Sequence, residues 1–478
     1  MSFFQKKHLS ALRRHSRDMN ILEGPLIGKV FLFILPLIAT NLLQTFYNAA
    51  DMVIAGMSGV DGAIGSIGTT TYFINLIINV FVGFSIGANV VVAQQIGKDD
   101  RESTSRAVHT SLVMAVLFGS LCTVIGQVVS RPVLTLMGDK GHILDLATQY
   151  TRIYFFGTPF IALSNYEIAI FRAKGDTRTP LAVLSATGLL NVLMNLFFVL
   201  VCGMSVAGVA LATVLANAVS GLILGLILMK DPGGCRLELK KLSIDRGSFR
   251  DIVRHGLPAA VQGVLFSISN VMIQSSIIGI NNTVCPGGSD VIDGNAAGLS
   301  LEGFVYTAEN SVYQASVTFA SQHYGAGKFK REGYVMRCCY FATTCVAVFA
   351  ASIIFFLRYQ LVSLYVSAPM AVETALTRIY IMVVPSFICA WMEVGSGILR
   401  GLGKSLTSTM ISLAGSCLFR LLWIWIVVPL SPGLTTIYLS YPISWTLTGA
   451  AHLIFSLREK NRLIRLYGDE RSPDGINC

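Results

Sequence analysis

The 478-residue chain carries unusually little charge. Asp, Glu, Lys and Arg make up 13% of its residues, about half the share found in an ordinary soluble protein. Hydrophobic residues make up 53%, and the mean hydropathy is +0.64. A soluble protein needs more polar groups than this to cover its surface. The composition therefore excludes a soluble protein and indicates an integral membrane protein.

Motifs of several other protein classes are also missing. The 10 cysteines include no C-x-x-C pair and fit no disulfide framework. The basic N-terminus has no apolar core and no cleavage site, so we interpret it as a cytoplasmic tail and not as a signal peptide. The string GILRGLGKS lacks the spacing of a nucleotide-binding P-loop, which argues against a pump driven by ATP. Because no basic soluble domain is evident, we expect no binding to nucleic acid.

Long apolar runs dominate what is present. The spans predicted from them are about 24 to 33 residues long, which is enough for a helix that crosses the ~30 Å hydrocarbon core of a bilayer. They predict an all-α membrane protein with twelve transmembrane helices. The predicted spans are 26–56, 62–94, 106–130, 147–171, 180–203, 206–229, 252–282, 294–324, 334–357, 375–399, 405–430 and 433–456.

The charges in the loops test this number of spans. With the N-terminus inside, most of the 36 Lys and Arg residues fall in cytoplasmic segments, as the positive-inside rule requires. We therefore predict a multi-pass protein of the plasma (inner) membrane with both termini in the cytoplasm. The predicted domains are a basic N-terminal tail (1–25), a six-helix lobe (26–229), a basic cytoplasmic linker (230–251), a second six-helix lobe (252–456) and a basic C-terminal tail (457–478).

The two predicted lobes repeat one pattern. A Leu-Pro pair precedes an asparagine at the same distance in both halves, at Asn48 and Asn270. A proline precedes a glutamate at the same distance in the fourth and tenth spans, at Glu167 and Glu393. The segments AQQIGKDDRE and SQHYGAGKFKRE close the second and eighth spans. Because each lobe has an even number of spans, both enter the membrane in one direction, which predicts a parallel repeat around a central cleft.

At these positions the sequence resembles the multidrug and toxic compound extrusion (MATE) family. The resemblance covers nearly the whole chain and rests on QTFYNAAD (44–51), AQQIG (93–97), FRAKGDTRTP (171–180), the N-x3-N of Asn191 and Asn195, and GAGK (325–328). It implies twelve helices in two lobes. It also implies secondary active efflux of organic cations or amphiphilic compounds in exchange for Na⁺ or H⁺, with no cofactor beyond that coupling ion.

Some members of that family have a cation site in the N-terminal lobe, and four positions here correspond to it. Asp51, Asn191 and Thr213 match, whereas Asn195 stands where those members have a second aspartate. The difference removes one negative charge and leaves open whether the ion is Na⁺ or H⁺. Other members have a glutamate in the seventh helix, where this chain has Phe266.

The depth of these residues supports the same grouping without the family. At 1.5 Å per residue, Asp51, Asn195 and Thr213 lie roughly 8, 12 and 10 Å from the outer ends of their spans. Acids inside a membrane are costly and usually functional, and carboxylate, amide and hydroxyl oxygens suit a hard cation. The alternatives are a structural hydrogen bond for Asp51 and helix–helix contacts for the asparagines. Tyr47 is predicted either to bond Asp51 or to belong to the aromatic belt.

Other charged residues also fall inside predicted spans. Glu302 and Glu309 lie two turns apart on one face of the eighth span, and Arg420 lies at an intermediate depth on the eleventh. We predict that Arg420 pairs with one of these acids, while the other is either a site for a proton or a cationic substrate or a structural group. Glu167 and Glu393 are predicted to form an inner gate or a helix–loop contact to nearby basic residues.

Two other functions remain as alternatives. A lipid-linked oligosaccharide flippase, or another lipid flippase, shares the two-lobe architecture, but its pyrophosphate would favour several buried basic residues, and only Arg420 qualifies. A membrane-embedded enzyme would need a metal cluster or a nucleophile with its base, and the histidines are scattered near span ends. We therefore expect a monomeric transporter and not an enzyme. Its expected partners are a small cationic amphiphile and membrane lipid, and the one metal expected is a Na⁺ at Asp51.

Overall fold

The computed structural model describes residues 19–60, 62–136 and 141–468 of the chain. Most of the predicted N-terminal tail and the end of the predicted C-terminal tail lie outside these residues. Within them the chain is helical and forms no strand.

The α-helices are numbered here in chain order. They are α1 (Leu26–Gly56), α2 (Ala63–Gly97), α3 (Arg101–Leu136), α4 (Gly141–Phe156), α5 (Thr158–Ala173), α6 (Arg178–Leu196), α7 (Ser205–Met229), α8 (Arg246–Val284), α9 (Asp290–Gly325), α10 (Phe329–Phe356), α11 (Arg358–Ser363), α12 (Pro369–Arg378), α13 (Ser386–Gly401), α14 (Ser405–Ser412), α15 (Phe419–Leu430) and α16 (Leu434–Tyr467). Shorter helical segments of other types are Phe197–Val201, Leu239–Lys241, Ile379–Val383 and Leu413–Leu418.

Each predicted span coincides with one helix or with helices that continue one another, so the all-α prediction is confirmed. Among the described residues, 8 helices are long and apolar enough to cross a bilayer, and α12 with α13 forms a bent pair that makes a possible total of 9. The predicted fourth span is divided between α4 and α5, which have 16 residues each, and the predicted eighth and twelfth spans are helical but more polar. For example, Glu302 and Glu309 both lie on α9.

The fourth and tenth spans are both interrupted near the proline that the repeat shares. Gly157 separates α4 from α5, and Pro159 lies in the first turn of α5. Pro385 immediately precedes α13, which is bent by 45° from the preceding helical segment. Proline has no N–H to donate to the turn before it, so it starts a helix more readily than it continues one. Glu167 and Glu393 are therefore each carried by the second helix of a broken span.

The first compact unit covers Leu35–Ala260. One part of its core packs side chains of α2, α3, α5 and α7 together, including Val92, Leu112, Tyr166 and Leu224. The other part surrounds the C-terminal end of α1 and includes Ile54, Ile67, Leu146, Tyr150 and Val206. The second part holds in place the helix end that carries Asp51.

The linker after α7 packs onto this first unit. Leu237 is buried in the core of the unit. The backbone N–H of Glu238 donates to Nε2 of His109 on α3 at 3.0 Å. The Lys174 ammonium lies 2.6 Å from an Asp231 carboxylate oxygen, and both side chains are almost fully buried. The segment between α7 and α8 is therefore anchored by contacts along its length.

The second compact unit consists of Ile21–Ile34 together with the described residues from Val261 onward. Its centre is the close packing of α13 against α9. A Cβ atom at Gly401 would lie 2.4 Å from the Cβ of Ala320, a distance that real side chains do not reach. Glycine on α13 therefore allows the two helices to approach this closely.

Candidate functional site

Asp51 lies inside the first unit, and polar groups from two other helices surround it. Its side chain is 8% exposed. The Asn195 amide on α6 donates a short hydrogen bond to Oδ1 of Asp51, and the Thr213 hydroxyl on α7 lies 3.3 Å from Oδ2. The predicted proximity of these three residues is present in the structure. A carboxylate this buried needs such donors, because charge removed from water is costly.

The two asparagines of the N-x3-N pair face the same space. Asn195 Nδ2 lies 3.3 Å from Asn191 Oδ1, and Asn191 Nδ2 lies 3.4 Å from the Thr213 hydroxyl. That hydroxyl also lies 3.0 Å from the carbonyl of Val209. Because the hydroxyl has a single proton, it can donate to Asp51 or to this carbonyl but not to both. When Thr213 donates to Asp51, the four side chains form a closed ring of hydrogen bonds that includes the carboxylate.

One polar atom in this ring has no hydrogen-bond partner among the described residues. The side-chain oxygen of Asn195 is fully buried and receives no hydrogen bond. A buried acceptor without a donor is unusual in a native protein and calls for an explanation. With the oxygens of Asp51, Asn191 and Thr213, it forms a set of carboxylate, amide and hydroxyl ligands of the kind that bind hard cations.

Tyr47 lies near this ring but does not bond Asp51. Its hydroxyl donates to the backbone carbonyl of Ser185 on α6 at 3.2 Å. A Cβ at Gly188 would lie 1.8 Å from the Tyr47 ring, so the ring rests directly on the α6 backbone. The hydroxyl therefore has a partner that neither of the two predicted roles included.

The sequence interpretation missed two tyrosines beside Asp51. Tyr150 and Tyr154 on α4 lie close enough to interact electrostatically with its carboxylate. Their ring centroids are 6.3 Å apart. Asn217, one turn after Thr213, donates to the Thr213 carbonyl at 2.9 Å. The four-residue spacing of the tyrosines near the start of the fourth span was the available signal, since it places them on one face.

In the second unit, Glu302 is paired, but with a different arginine from the one predicted. Arg378 Nη2 lies 2.8 Å from Glu302 Oε2, and Arg378 Nε donates to the same oxygen at 2.9 Å. Arg378 Nη1 donates to Oδ1 of Asn295 at 2.7 Å. A Cβ at Gly298 would lie 2.9 Å from the Arg378 side chain, so glycine on α9 makes room for the arginine.

Arg420 has no carboxylate within ion-pair distance in the described part of the chain. Its Nε donates to the Ser444 hydroxyl at 2.9 Å, and its guanidinium lies 4.1 Å from the ring centroid of Tyr441. Its side chain is buried. The predicted ion pair of Arg420 with Glu302 or Glu309 is therefore wrong. The guanidinium instead bonds a hydroxyl and lies over an aromatic ring, which stabilises its charge.

Glu309 remains as the unpaired acid of the eighth predicted span. It is 1% exposed, and its Oε1 has no hydrogen-bond partner among the described residues. Glu302 and Glu393 lie within electrostatic range of it. Glu393 in turn lies within electrostatic range of Arg400 and Arg420. The second unit thus places three glutamates in one region, and Arg378 directly neutralises one of them, Glu302.

Glu167 occupies a different setting in the first unit. It is 1% exposed, and its Oε2 has no hydrogen-bond partner among the residues that the structure describes. A Cβ at Gly225 would lie 3.0 Å from the other carboxylate oxygen, so the acid packs against the bare backbone of α7. The nearby Lys174 pairs with Asp231 instead. The structure places Glu167 in a helix–helix contact, and its predicted role as a gate remains untested.

The matches to a known protein family fall in two parts, one in each half of the chain. The sequence model of the family described as MatE matches residues 36–197 and again residues 258–426, which together are more than half of the chain. One model thus matches each half, in agreement with the repeat seen in the sequence. In the part of the chain that the structure describes, no group of three or more His, Cys, Asp or Glu side chains is arranged to hold a metal ion.

Individual relatives are similar over most of their length. The probable multidrug resistance protein YoeA of Bacillus subtilis (strain 168) is 25% identical over 394 residues, which is 80% of this chain and 82% of YoeA. The probable multidrug resistance protein NorM of Thermotoga maritima is 24% identical over 386 residues, 79% of this chain and 80% of NorM. An outward-facing structure of a multidrug resistance MATE family transporter of the MOP superfamily superimposes with a TM-score of 0.86 at 19% identity. It covers 94% of this chain and 99% of the other, and it shows a shared fold.

Proposed function

Because this chain belongs to the MatE family, we propose that it is a secondary active antiporter for multidrug efflux. It exports organic cations or amphiphilic compounds in exchange for Na⁺ or H⁺ by alternating access. Lipid surrounds it in the plasma (inner) membrane, both termini are cytoplasmic, and it works as a monomer without a cofactor. Two relatives are described as probable multidrug resistance proteins and one structural neighbour as a multidrug resistance transporter, which supports a transporter.

The buried carboxylate of Asp51 is the observation that carries this proposal. It is 8% exposed and interacts with an amide and a hydroxyl, with no basic residue paired to it in the described chain. A charge in this position is costly unless a counter-ion or a proton neutralises it. The site therefore favours a bound cation in one state of the transport cycle and can release it in another.

The ligand set serves the two candidate ions differently. A Na⁺ ion would take oxygens from Asp51, Asn191, Asn195 and Thr213, including the Asn195 oxygen that has no donor among the described residues. A proton needs only a carboxylate oxygen of Asp51. Removal of the Thr213 hydroxyl should thus weaken Na⁺ binding much more than proton binding. Reciprocal coupling of ion and substrate then drives export as the ion enters.

In the second unit, we propose Glu309 as the acid that serves a proton or a cationic substrate. Glu302 is neutralised by Arg378 at 2.8 Å, whereas Glu309 is buried with an unpartnered oxygen. Of the two acids predicted on this helix, Glu309 is therefore the one that forms no ion pair with an arginine in the described chain. Arg420 and Glu393 contribute to the electrostatic surroundings of this region.

Uptake into inverted membrane vesicles tests the proposal, because export from the cell appears there as uptake into the vesicle. A Na⁺ gradient and a pH gradient are imposed separately, and uptake of a panel of cationic and neutral dyes is recorded for wild type, Asp51→Asn and Thr213→Val. Asp145→Asn is the matched control, because Asp145 is exposed and pairs with Arg131 on the surface of the first unit. We expect Asp51→Asn to abolish gradient-driven uptake and the control to retain it.

The results also identify the ion. Loss of Na⁺-driven uptake in Thr213→Val indicates Na⁺ coupling, whereas uptake driven only by the pH gradient, and retained in this variant, indicates H⁺ coupling. If Asp51→Asn vesicles keep full ion-driven uptake of every compound that wild type transports, the proposed site is wrong.

A further inference from the structure

The last helix of the second unit continues well past its predicted span. The span is predicted to end at residue 456, but α16 runs on to Tyr467. We refer to these further residues, 457–467, as the α16 extension. The equivalent helix of the first unit, α7, ends at Met229, where its own span is predicted to end. The extension is therefore particular to the second unit, and the distribution of Lys and Arg predicts that it lies on the cytoplasmic side.

One face of the α16 extension packs onto the rest of the second unit. A Glu459 carboxylate oxygen lies 3.4 Å from the Lys404 ammonium, and Leu463 is buried. The ring centroid of Tyr467 lies 6.1 Å from that of Phe329 at the start of α10. These contacts fix which side of the extension faces outward.

The outward face carries three exposed arginines, Arg458, Arg462 and Arg465, which we call the arginine stripe. Residues three and four apart are neighbours on a helix surface, so the three side chains lie in one row. Arg462 lies 3.5 Å from Glu459, but that carboxylate is shared with Lys404. Arg458 and Arg465 have no carboxylate within ion-pair distance in the part of the chain that the structure describes. The stripe therefore keeps an excess of positive charge.

The position and the size of the arginine stripe suit the headgroup of a membrane lipid. Arg458 lies about 3 Å beyond the predicted inner end of the span, within a polar bilayer layer that is roughly 5–8 Å deep on each side. Arginine side chains are long enough to reach that layer from the next two turns. The stripe rises about 10 Å from Arg458 to Arg465. This length is too small for a stable protein–protein interface but accommodates a phosphate group.

We propose that the arginine stripe binds the phosphate headgroup of an anionic lipid in the cytoplasmic leaflet. Guanidinium groups bind phosphate through paired N–H donors, and anionic lipid attracts basic residues that directly follow a span. Because the extension is packed onto the second unit, bound lipid holds the inner end of α16 at the membrane surface. The assignment goes beyond the proposed efflux function, since it depends neither on the coupling ion nor on the exported compound.

Binding of fluorescently labelled phosphatidylglycerol to the purified full-length protein in detergent tests this assignment. Labelled phosphatidylcholine with the same acyl chains is the probe without net charge. The test variant replaces the whole stripe and carries Arg458→Gln, Arg462→Gln and Arg465→Gln. The matched control removes three exposed basic residues from the first unit and carries Arg236→Gln, Lys240→Gln and Arg250→Gln. Thermal unfolding confirms that each variant is folded.

We expect each arginine to contribute about fivefold to the affinity, the effect of one charge near an anionic lipid surface. The stripe variant should therefore raise the Kd of phosphatidylglycerol roughly 100-fold. The control should leave this Kd unchanged, and phosphatidylcholine should bind wild type and both variants equally weakly.

A stripe variant that binds phosphatidylglycerol like wild type would overturn the assignment. So would an equal loss of affinity in the control, because the charge of the whole surface would then be responsible. Binding that appears only after Asp469, Glu470 and Asp474 are replaced by their amides would show that the end of the chain occupies the stripe, and it would overturn the assignment too. None of these results bears on whether Asp51→Asn stops ion-driven uptake, which tests the proposed function by itself.

Discussion

Replacement of Arg378 by glutamine is expected to destabilise the second unit strongly. The guanidinium donates to Glu302 at 2.8 and 2.9 Å and to Asn295 at 2.7 Å. The Arg378 side chain is 4% exposed and that of Glu302 is 19% exposed, so little water can replace the lost partner. Removal of one member of a buried ion pair costs about 3–5 kcal/mol, because the other charge stays buried without compensation.

The size of the expected effect makes it measurable. In a unit of roughly 200 residues, each kcal/mol lowers Tm by about 2–4 °C. We therefore expect Arg378→Gln to lower the Tm of the second unit by roughly 10 °C. The double variant with Glu302→Gln should recover part of this loss, because neither charge is then left alone.

Thermal unfolding of the purified protein in detergent measures both single variants and the double variant. Arg420→Gln is the matched control, because Arg420 bonds Ser444 and lies over the Tyr441 ring without a carboxylate partner in the described chain. Glu302→Gln should show coupling with Arg378→Gln and much weaker coupling with Arg420→Gln. Strong coupling with Arg420→Gln and none with Arg378→Gln would refute the assignment of the pair.

Two further predictions concern helix packing and the segment that precedes α8. Gly401→Ala should lower the free energy of unfolding by about 1–3 kcal/mol through overpacking, because its Cβ would lie 2.4 Å from that of Ala320. The matched control is Gly303→Ala on α9, whose Cβ meets nothing within 4 Å and should not lower Tm. Equal Tm values for the two variants would contradict this. The Ser248 N–H donates to Asp245 at 2.7 Å and holds the pKa of that carboxyl below its usual range. The cap that Asp245 gives α8 is therefore present above the unfolded pKa and lost as the pH falls through the folded pKa. Protection of the first-turn amides, measured as exchange relative to the intrinsic rate at each pH, should fall in acid in wild type and be low at every pH in Asp245→Ala.

The Asp51 cluster shows which parts of a membrane site can be predicted from sequence. Asp51, Asn195 and Thr213 come from three spans, yet the regular rise of a helix was enough to place them at one depth. The cost of a lone acid in lipid then required polar neighbours, and the structure provides them. The partner of Tyr47 could not be obtained in this way, because a contact with the Ser185 carbonyl depends on how the helices are rotated.

Arg378 shows where the same reasoning fails. The sequence places Arg378 near the outer end of a predicted span and Arg420 deep inside one, so Arg420 is predicted to pair with either Glu302 or Glu309. The structure buries Arg378 because Gly294 and Gly298 let α12 pack directly on α9. A glycine pair of this kind was visible in the sequence, but which helix would fill the gap was not. Rotation and close approach depend on tertiary packing, which span prediction does not include.

The repeat adds a constraint on how the two units divide their chemistry. At the position equivalent to Asp51, the second unit has Ile273, which is buried in its core. The segment ETALTRIY (373–380) of the second unit matches ATQYTRIY (147–154) of the first, so Glu373 stands where the first unit has Ala147, which is buried too. Each unit therefore has an acid on a helix where the other has an apolar residue. Because the side chain of Ile273 has no oxygen to offer a cation, the ion site that we propose at Asp51 has no counterpart at the equivalent position of the second unit.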